Sequence, residues 1–206
     1  MVGIDVSKDK LDFCTLENQN HQVIKRGVVE NSKSSIIKWL KKLDALEVEI
    51  ALEHTGHYGA LLAWLLSEKK FTFYMINPYE LKSSLGLQRG KTDAVDAYRI
   101  ASYAISNKYK LKPYVLPIKE LQQLKALLTG RSRYVKIRTQ LKNSLKANEI
   151  LNQTVDVRIL ISQEKRQIQQ ITKTVKLLEK QMVALINEVQ ELTSTYNKVT
   201  RVIGVG

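Results

Sequence analysis

Cysteine, proline and long apolar runs are nearly missing from this chain of 206 residues, and each shortage narrows what it can be. The single cysteine, Cys14, rules out an internal disulfide and a cysteine-based zinc site, and its place in an alternating run suits an ordinary strand residue in a reducing, cytoplasmic compartment. The longest apolar run, Tyr58 to Leu66, falls far short of the ~20 residues that span a bilayer. The start, Met-Val-Gly-Ile-Asp, lacks the basic segment of a secretory signal, so no membrane partner is expected. Acids are scarce too: 20 Asp+Glu against 33 Lys+Arg leave a net charge of +13. With 44% hydrophobic residues the chain is too apolar to be a disordered basic tail, so that charge belongs to a folded surface.

The shortage of acids is local. Residues 1–110 hold 16 Lys+Arg and 13 Asp+Glu, net +3, whereas residues 111–206 hold 17 and 7, net +10. A folded surface with that excess suits a polyanion, because each cation that neutralises a phosphate releases condensed counterions. Nucleic acid is the leading partner.

The pattern of the first half predicts strands at Val2–Val6, Leu11–Leu16 and Gln22–Val29, joined by short polar turns at Ser7-Lys8-Asp9 and Glu17-Asn18-Gln19-Asn20. Asn31 or Ser32 caps a helix ending near Leu43. A short buried strand, Val48–Leu52, a helix carrying Leu61, Leu62, Trp64 and Leu65, and a strand, Phe71–Ile76, follow. Three hairpin-linked strands, then helix, strand, helix, strand, make a mixed α/β sheet of the ribonuclease-H-like pattern with flanking helices. Beyond Pro113 and Pro117 only helices are expected: one from Ile118 to about Ile150, then a second after a turn near Asn152. In the second, Ile168, Ile171, Val175, Leu178, Met182, Leu185, Val189, Leu192 and Tyr196 recur in steps of three and four, a seam of about four heptads. That seam can pair within the chain as an all-α hairpin or between chains as a coiled coil, and the pattern leaves both open.

Four acids stand out. Asp5 lies near the end of the first strand in an apolar run, and Glu53 ends the fourth, both at the carboxyl ends where open α/β sheets place ligands. Asp93 and Asp96 are three apart and share a helix face. Carboxylates brought together raise one another's pKa, a cost that a hard divalent cation such as Mg²⁺ removes. An acidic cluster beside a basic module therefore points to phosphodiester chemistry.

Gly3-Ile4-Asp5-Val6-Ser7-Lys8, Leu52-Glu53-His54-Thr55-Gly56, Asn77-Pro78 and Lys91-Thr92-Asp93-Ala94-Val95-Asp96-Ala97 together closely resemble the N-terminal RuvC-like domain of the DEDD transposases of insertion sequences, recombinases related to the Piv DNA invertase. The resemblance runs in order over about residues 1–200. It implies that Asp5, Glu53, Asp93 and Asp96 form a catalytic tetrad holding Mg²⁺, that DNA and a structured guide (bridge) RNA are the partners, and that the helical region is the coiled coil of a homo-oligomer, a dimer or tetramer. It also implies three parts: a RuvC-like domain over 1–112, a basic helical hairpin over 113–200, and at 201–206 the opening of a domain that in the family carries a serine nucleophile. On that expectation the chain is a truncated recombinase lacking the serine.

Gly86-Leu87-Gln88-Arg89-Gly90-Lys91-Thr92 has one residue too few between its glycines for a phosphate loop of an NTPase. Arg89 and Lys91 are either phosphate contacts beside the acids or part of a solvated loop. From Lys119 to Glu149 eight cations, among them Lys125, Arg131, Arg133, Lys136, Arg138, Lys142 and Lys146, face two acids; by spacing they wrap broadly around the helix. Such a bias favours binding to a nucleic-acid backbone, with Tyr134 expected to pack in the hairpin. Two alternatives to a recombinase stand beside it: a non-catalytic nucleic-acid-binding assembly module, and a standalone Holliday-junction nuclease.

Overall fold

The fold was described from a computed structural model, which places residues 1–54, 56–85 and 93–202. Arg89 and Lys91 lie outside the described residues. The chain divides into two compact units, Met1–Leu116 and Pro117–Gly206.

In the first unit, strands β1 (Val2–Val6), β2 (Lys10–Leu16) and β3 (Val23–Glu30) form an antiparallel meander. β4 (Ile50–Glu53) and β5 (Phe73–Ile76) add in parallel beyond β1, giving the order β3-β2-β1-β4-β5. Helices α1 (Lys33–Leu40) and α2 (Ala60–Glu68) supply the crossovers, and α3 (Pro78–Leu85) and α4 (Asp93–Ser106) follow β5. Ser32 is the cap residue of α1, its side chain accepting from the Ser35 N–H. The helix is shorter than its periodicity suggests: residues beyond Leu40 form turns, although Leu43 still packs on the core. β5 likewise begins at Phe73, since positive φ at Lys70 completes the turn out of α2.

The sheet separates two cores because strand side chains alternate. Ile4, Phe13 and Leu52 face α1 and α2, with Ile36, Trp39, Leu62 and Leu66. Cys14, Ala51 and Ile76 face α4, with Ala97, Ile100, Ala101 and Ala104. On that second face the helix lies almost on the backbone of β1. A Cβ built on Gly3 would stand 2.2 Å from the Ala97 carbonyl oxygen and 2.4 Å from the Ala101 nitrogen. Glycine at position 3 and alanines along α4 thus allow an approach that carries the first turn of α4 to the carboxyl end of β1. The unit reaches Leu116 because Tyr114 donates its N–H to Phe73 O at 2.7 Å and sets its ring 5.5 Å from that of Phe73.

The second unit holds α5 (Lys119–Leu151), α6 (Arg158–Glu188) and α7 (Gln190–Thr200), with α5 and α6 packed as a hairpin. The seam from Ile168 to Leu192 is its less exposed stripe, with Val175 and Leu185 buried, and pairing within the chain is therefore realised. Val189 takes an extended conformation (φ −116°, ψ 111°) and breaks the helix between α6 and α7. Tyr196 is 48% exposed and leaves the seam. Among the described residues, no helix is long and apolar enough to cross a membrane.

Candidate functional site

Alternation sets the site. Since Ile4 and Leu52 point to the α1 and α2 core, Asp5 and Glu53 point to the opposite face, under the first turn of α4. Asp93 is the first residue of α4 and Asp96 lies one turn on. The four acids expected from the sequence thus come from two adjacent parallel strands and one helix start.

A fifth acid joins them. Asp12 on β2 is directly opposite Asp5 in the β1–β2 ladder and is 6% exposed, a buried charged residue. Lys10, two residues earlier on the same face, bridges it to the helix: its Nζ stands 3.1 Å from Asp12 Oδ2 and 2.7 Å from Asp93 Oδ2. Arg99 makes a parallel contact, Nη1 to Asp96 Oδ1 at 2.9 Å. Sequence reasoning passed over Asp12 and Lys10 because their face depends on the turn. Ser7 closes it by donating its N–H and Oγ–H to Lys10 O, so that Val6 pairs with Leu11 and Asp5 with Asp12. A turn one residue shorter would pair Asp5 with Leu11 and send Asp12 to the other side of the sheet.

The electrostatics follow the geometry. Burial, then the charges of Asp93, Asp96, Glu53 and Asp12, push the Asp5 carboxyl up to about 6. Asp93 is held below the ordinary carboxylate range by its hydrogen bond and ion pair with Lys10, and Lys10 is raised by the same partners. The set is therefore hard oxygen donors with more negative charge than its cations offset, which is the donor chemistry Mg²⁺ selects. Among the described residues no three such side chains already stand as a closed metal-binding group. The ion pairs use Asp93 Oδ2 and Asp96 Oδ1, and each carboxylate has a second oxygen with acceptor capacity of its own.

In the second unit, the less exposed stripe of α5 includes Leu124, Leu127, Arg131, Val135, Arg138, Leu141, Leu145 and Asn148, spaced by three and four. Two of the expected nucleic-acid contacts, Arg131 and Arg138, thus lie on the side turned to α6. Arg131 donates Nε–H to Glu179 Oε1 at 2.8 Å. Further along, Glu164 accepts from Ser144 Oγ at 2.6 Å and Asn148 Nδ2 at 3.0 Å. Lys125, Arg133, Lys136, Lys142 and Lys146 are exposed. Lys125 and Lys146 are three heptads apart and share one heptad position; Lys136 and then Arg133 lie progressively further round on the same side of it, toward the face opposite the stripe, whereas Lys142, one heptad from Val135, borders the stripe. The exposed cations thus spread over nearly half of the helix circumference, while two further arginines lie on the hairpin side. Tyr134, expected to pack, is 38% exposed although it stands one heptad from both Leu127 and Leu141 of the stripe.

The β3-β2-β1-β4-β5 order, with acids at the carboxyl ends of β1 and β4 and at the start of the helix packed across them, defines a ribonuclease-H-like domain with a clustered-carboxylate site. The chain belongs to the DEDD transposase family named for IS110, whose model matches residues 2–156, taking in the sheet unit and all of α5. Among solved structures it is similar to T. thermophilus RuvC in complex with a Holliday junction substrate, at 16% identity and a TM-score of 0.40 over 55% of this chain and 99% of that one. No curated protein matches it.

Proposed function

We propose that this chain is the Mg²⁺-dependent nucleic-acid-processing part of an insertion-sequence DNA recombinase, with its outward cationic face holding DNA and a structured guide RNA. The observation that carries the reading is the convergence of Glu53, Asp93 and Asp96 on the raised carboxyl of Asp5, in a member of a transposase family. Those four residues would hold the metal, with Asp12 beside them. When bound, Mg²⁺ would screen phosphate charge and favour attack on a phosphodiester. The chain's own part is to supply acceptor oxygens fixed by β1, β4 and α4, and to keep Asp5 partly out of water so that its charge favours a cation. Lys10 reaches both Asp12 and Asp93 and would either shift to the incoming phosphate or stay as a fixed counter-charge. RNA guidance and assembly into dimers or tetramers rest on the family resemblance.

Mg²⁺ titration by calorimetry tests the site. Asp96→Asn is expected to weaken binding about tenfold, and unchanged affinity would take the acids out of the mechanism. The pairing of Asp93 with Lys10 and of Asp96 with Arg99 favours one competitor, a binding module whose acids are neutralised by protein cations and take no metal. Absence of Mg²⁺ binding by the wild type would decide for that module.

For the cationic face, log affinity for duplex DNA is expected to fall linearly with log salt. Lys136→Ala and Lys146→Ala should each reduce the slope by about one. Arg131→Ala should leave the slope alone and cost under about 1 kcal/mol of stability, since its partner Glu179 is partly exposed. Equal slopes for all three variants would mean the inward and outward cations are not distinct.

A further inference from the structure

Away from the acids, α3, the C-terminal end of α4 and the turn after it enclose an open cleft of about 500 Å³, a size typical of sites that hold a small ligand. Its lining combines tyrosine rings with polar groups. Tyr79 stands at the mouth, 77% exposed. Tyr103 forms the wall from α4, Glu80 and Lys110 face the space, and Asn107 donates its Nδ2–H to Tyr103 O at 3.0 Å. The Tyr103 hydroxyl reaches Glu80 Oε2 at 3.4 Å, a long contact that leaves the carboxylate with acceptor capacity. Lys82 in the last turn of α3 and Lys112 just past the cleft add positive charge around it.

We propose that this cleft binds one unpaired nucleobase of a DNA or RNA strand, with guanine preferred; the idea rests on the nucleic-acid reading above. An exposed tyrosine beside a second aromatic ring is a stacking surface for any base. Lys110 suits the adjoining phosphate. Glu80 accepts only, so it favours a base edge presenting two neighbouring N–H donors. Guanine offers N1–H and N2–H together, adenine and cytosine offer one amino group each, and thymine or uracil offers a single ring N–H. The place fits as well. Tyr103 is two turns along α4 from Asp96, about 10 Å, so a base held in the cleft would fix the register of a strand lying at the acids.

The test uses the whole chain and labelled pentanucleotides, one all-thymine and one with a single central guanine, in deoxyribo and ribo forms, read by fluorescence anisotropy. The wild type should bind the guanine strand about tenfold more tightly. Tyr79→Ala, a surface change that leaves the fold intact, should weaken that binding at least about fivefold. Glu80→Gln should bring the guanine and thymine strands close to equal, while Lys146→Ala should keep their ratio. Tighter binding of one sugar form identifies the strand served, and equal binding assigns recognition to the base alone. No guanine preference in the wild type, or no effect of Tyr79→Ala, overturns the cleft. If long duplex still binds with a steep salt slope, only the cleft is lost; if neither strand nor duplex binds, the nucleic-acid reading falls with it.

Discussion

Gly3→Ala is expected to lower the unfolding free energy by about 3 kcal/mol and to disorder the acid site in whatever folds. The added methyl group would stand 2.2 Å from Ala97 O and 2.4 Å from Ala101 N, both backbone atoms, so no side-chain rotation relieves the clash. Overpacking of a close-packed core costs about 1–3 kcal/mol even where side chains can yield, and here β1 and α4 must separate. Ala97, Ile100, Ala101 and Ala104 are all fully buried on this face, so separation also exposes apolar surface. Because α4 carries Asp93 and Asp96, the same displacement moves them from Asp5. Denaturant unfolding measures the first effect, and an Asp5 carboxyl titrating nearer its ordinary value by NMR measures the second. A variant as stable as the wild type would contradict the contact. Gly27 on β3 is different in kind: the atoms nearest a Cβ there belong to the Phe13 ring, the first at 2.7 Å, and a ring can shift.

Asp5→Asn should stabilise the fold at neutral and higher pH while removing the response to Mg²⁺. The folded carboxyl titrates at about 6, above its ordinary 3.8, so folding favours the protonated form. Its favourable contribution is complete below about pH 4 and is lost as pH rises through 6; at pH 8 the charged group opposes folding. The full shift corresponds to about 3 kcal/mol, and because Asp5 is only partly buried the expected gain from the neutral amide is about 1–2 kcal/mol. The two proteins should differ little at pH 3.5 and most at pH 8. Adding Mg²⁺ at pH 8 should stabilise the wild type and leave Asp5→Asn nearly unchanged. Parallel stability–pH profiles would show that Asp5 carries no excess charge burden.

Much of this architecture can be read directly from residue order. Alternation at Val2–Val6 and Leu11–Leu16, with a short turn between, requires an antiparallel hairpin, and the helices between later strands require parallel additions to the sheet. The ribonuclease-H-like order follows from those local constraints. The acids Asp5 and Glu53 were visible because each interrupts or ends an apolar strand, and Asp93 and Asp96 because helical spacing puts them on one face. The α6 seam was legible for the same reason: a period of 3.5 residues is a property of the chain itself. Its partner was not, since one apolar stripe fits an intramolecular or an intermolecular neighbour equally well, and only the packing of α5 against it chose.

By its sequence alone the chain was committed to a mixed sheet, a set of acids at strand ends and a basic helical region. Tertiary structure decided which charges share a face. Asp12 and Lys10 entered the site through the register of one turn, because a one-residue slip exchanges the faces of a strand. Arg131 and Arg138 left the outward face because a helix acquires an inside only when a neighbour covers one side of it. Spacing establishes which residues can stand together; the turn and the neighbouring helix determine what they face.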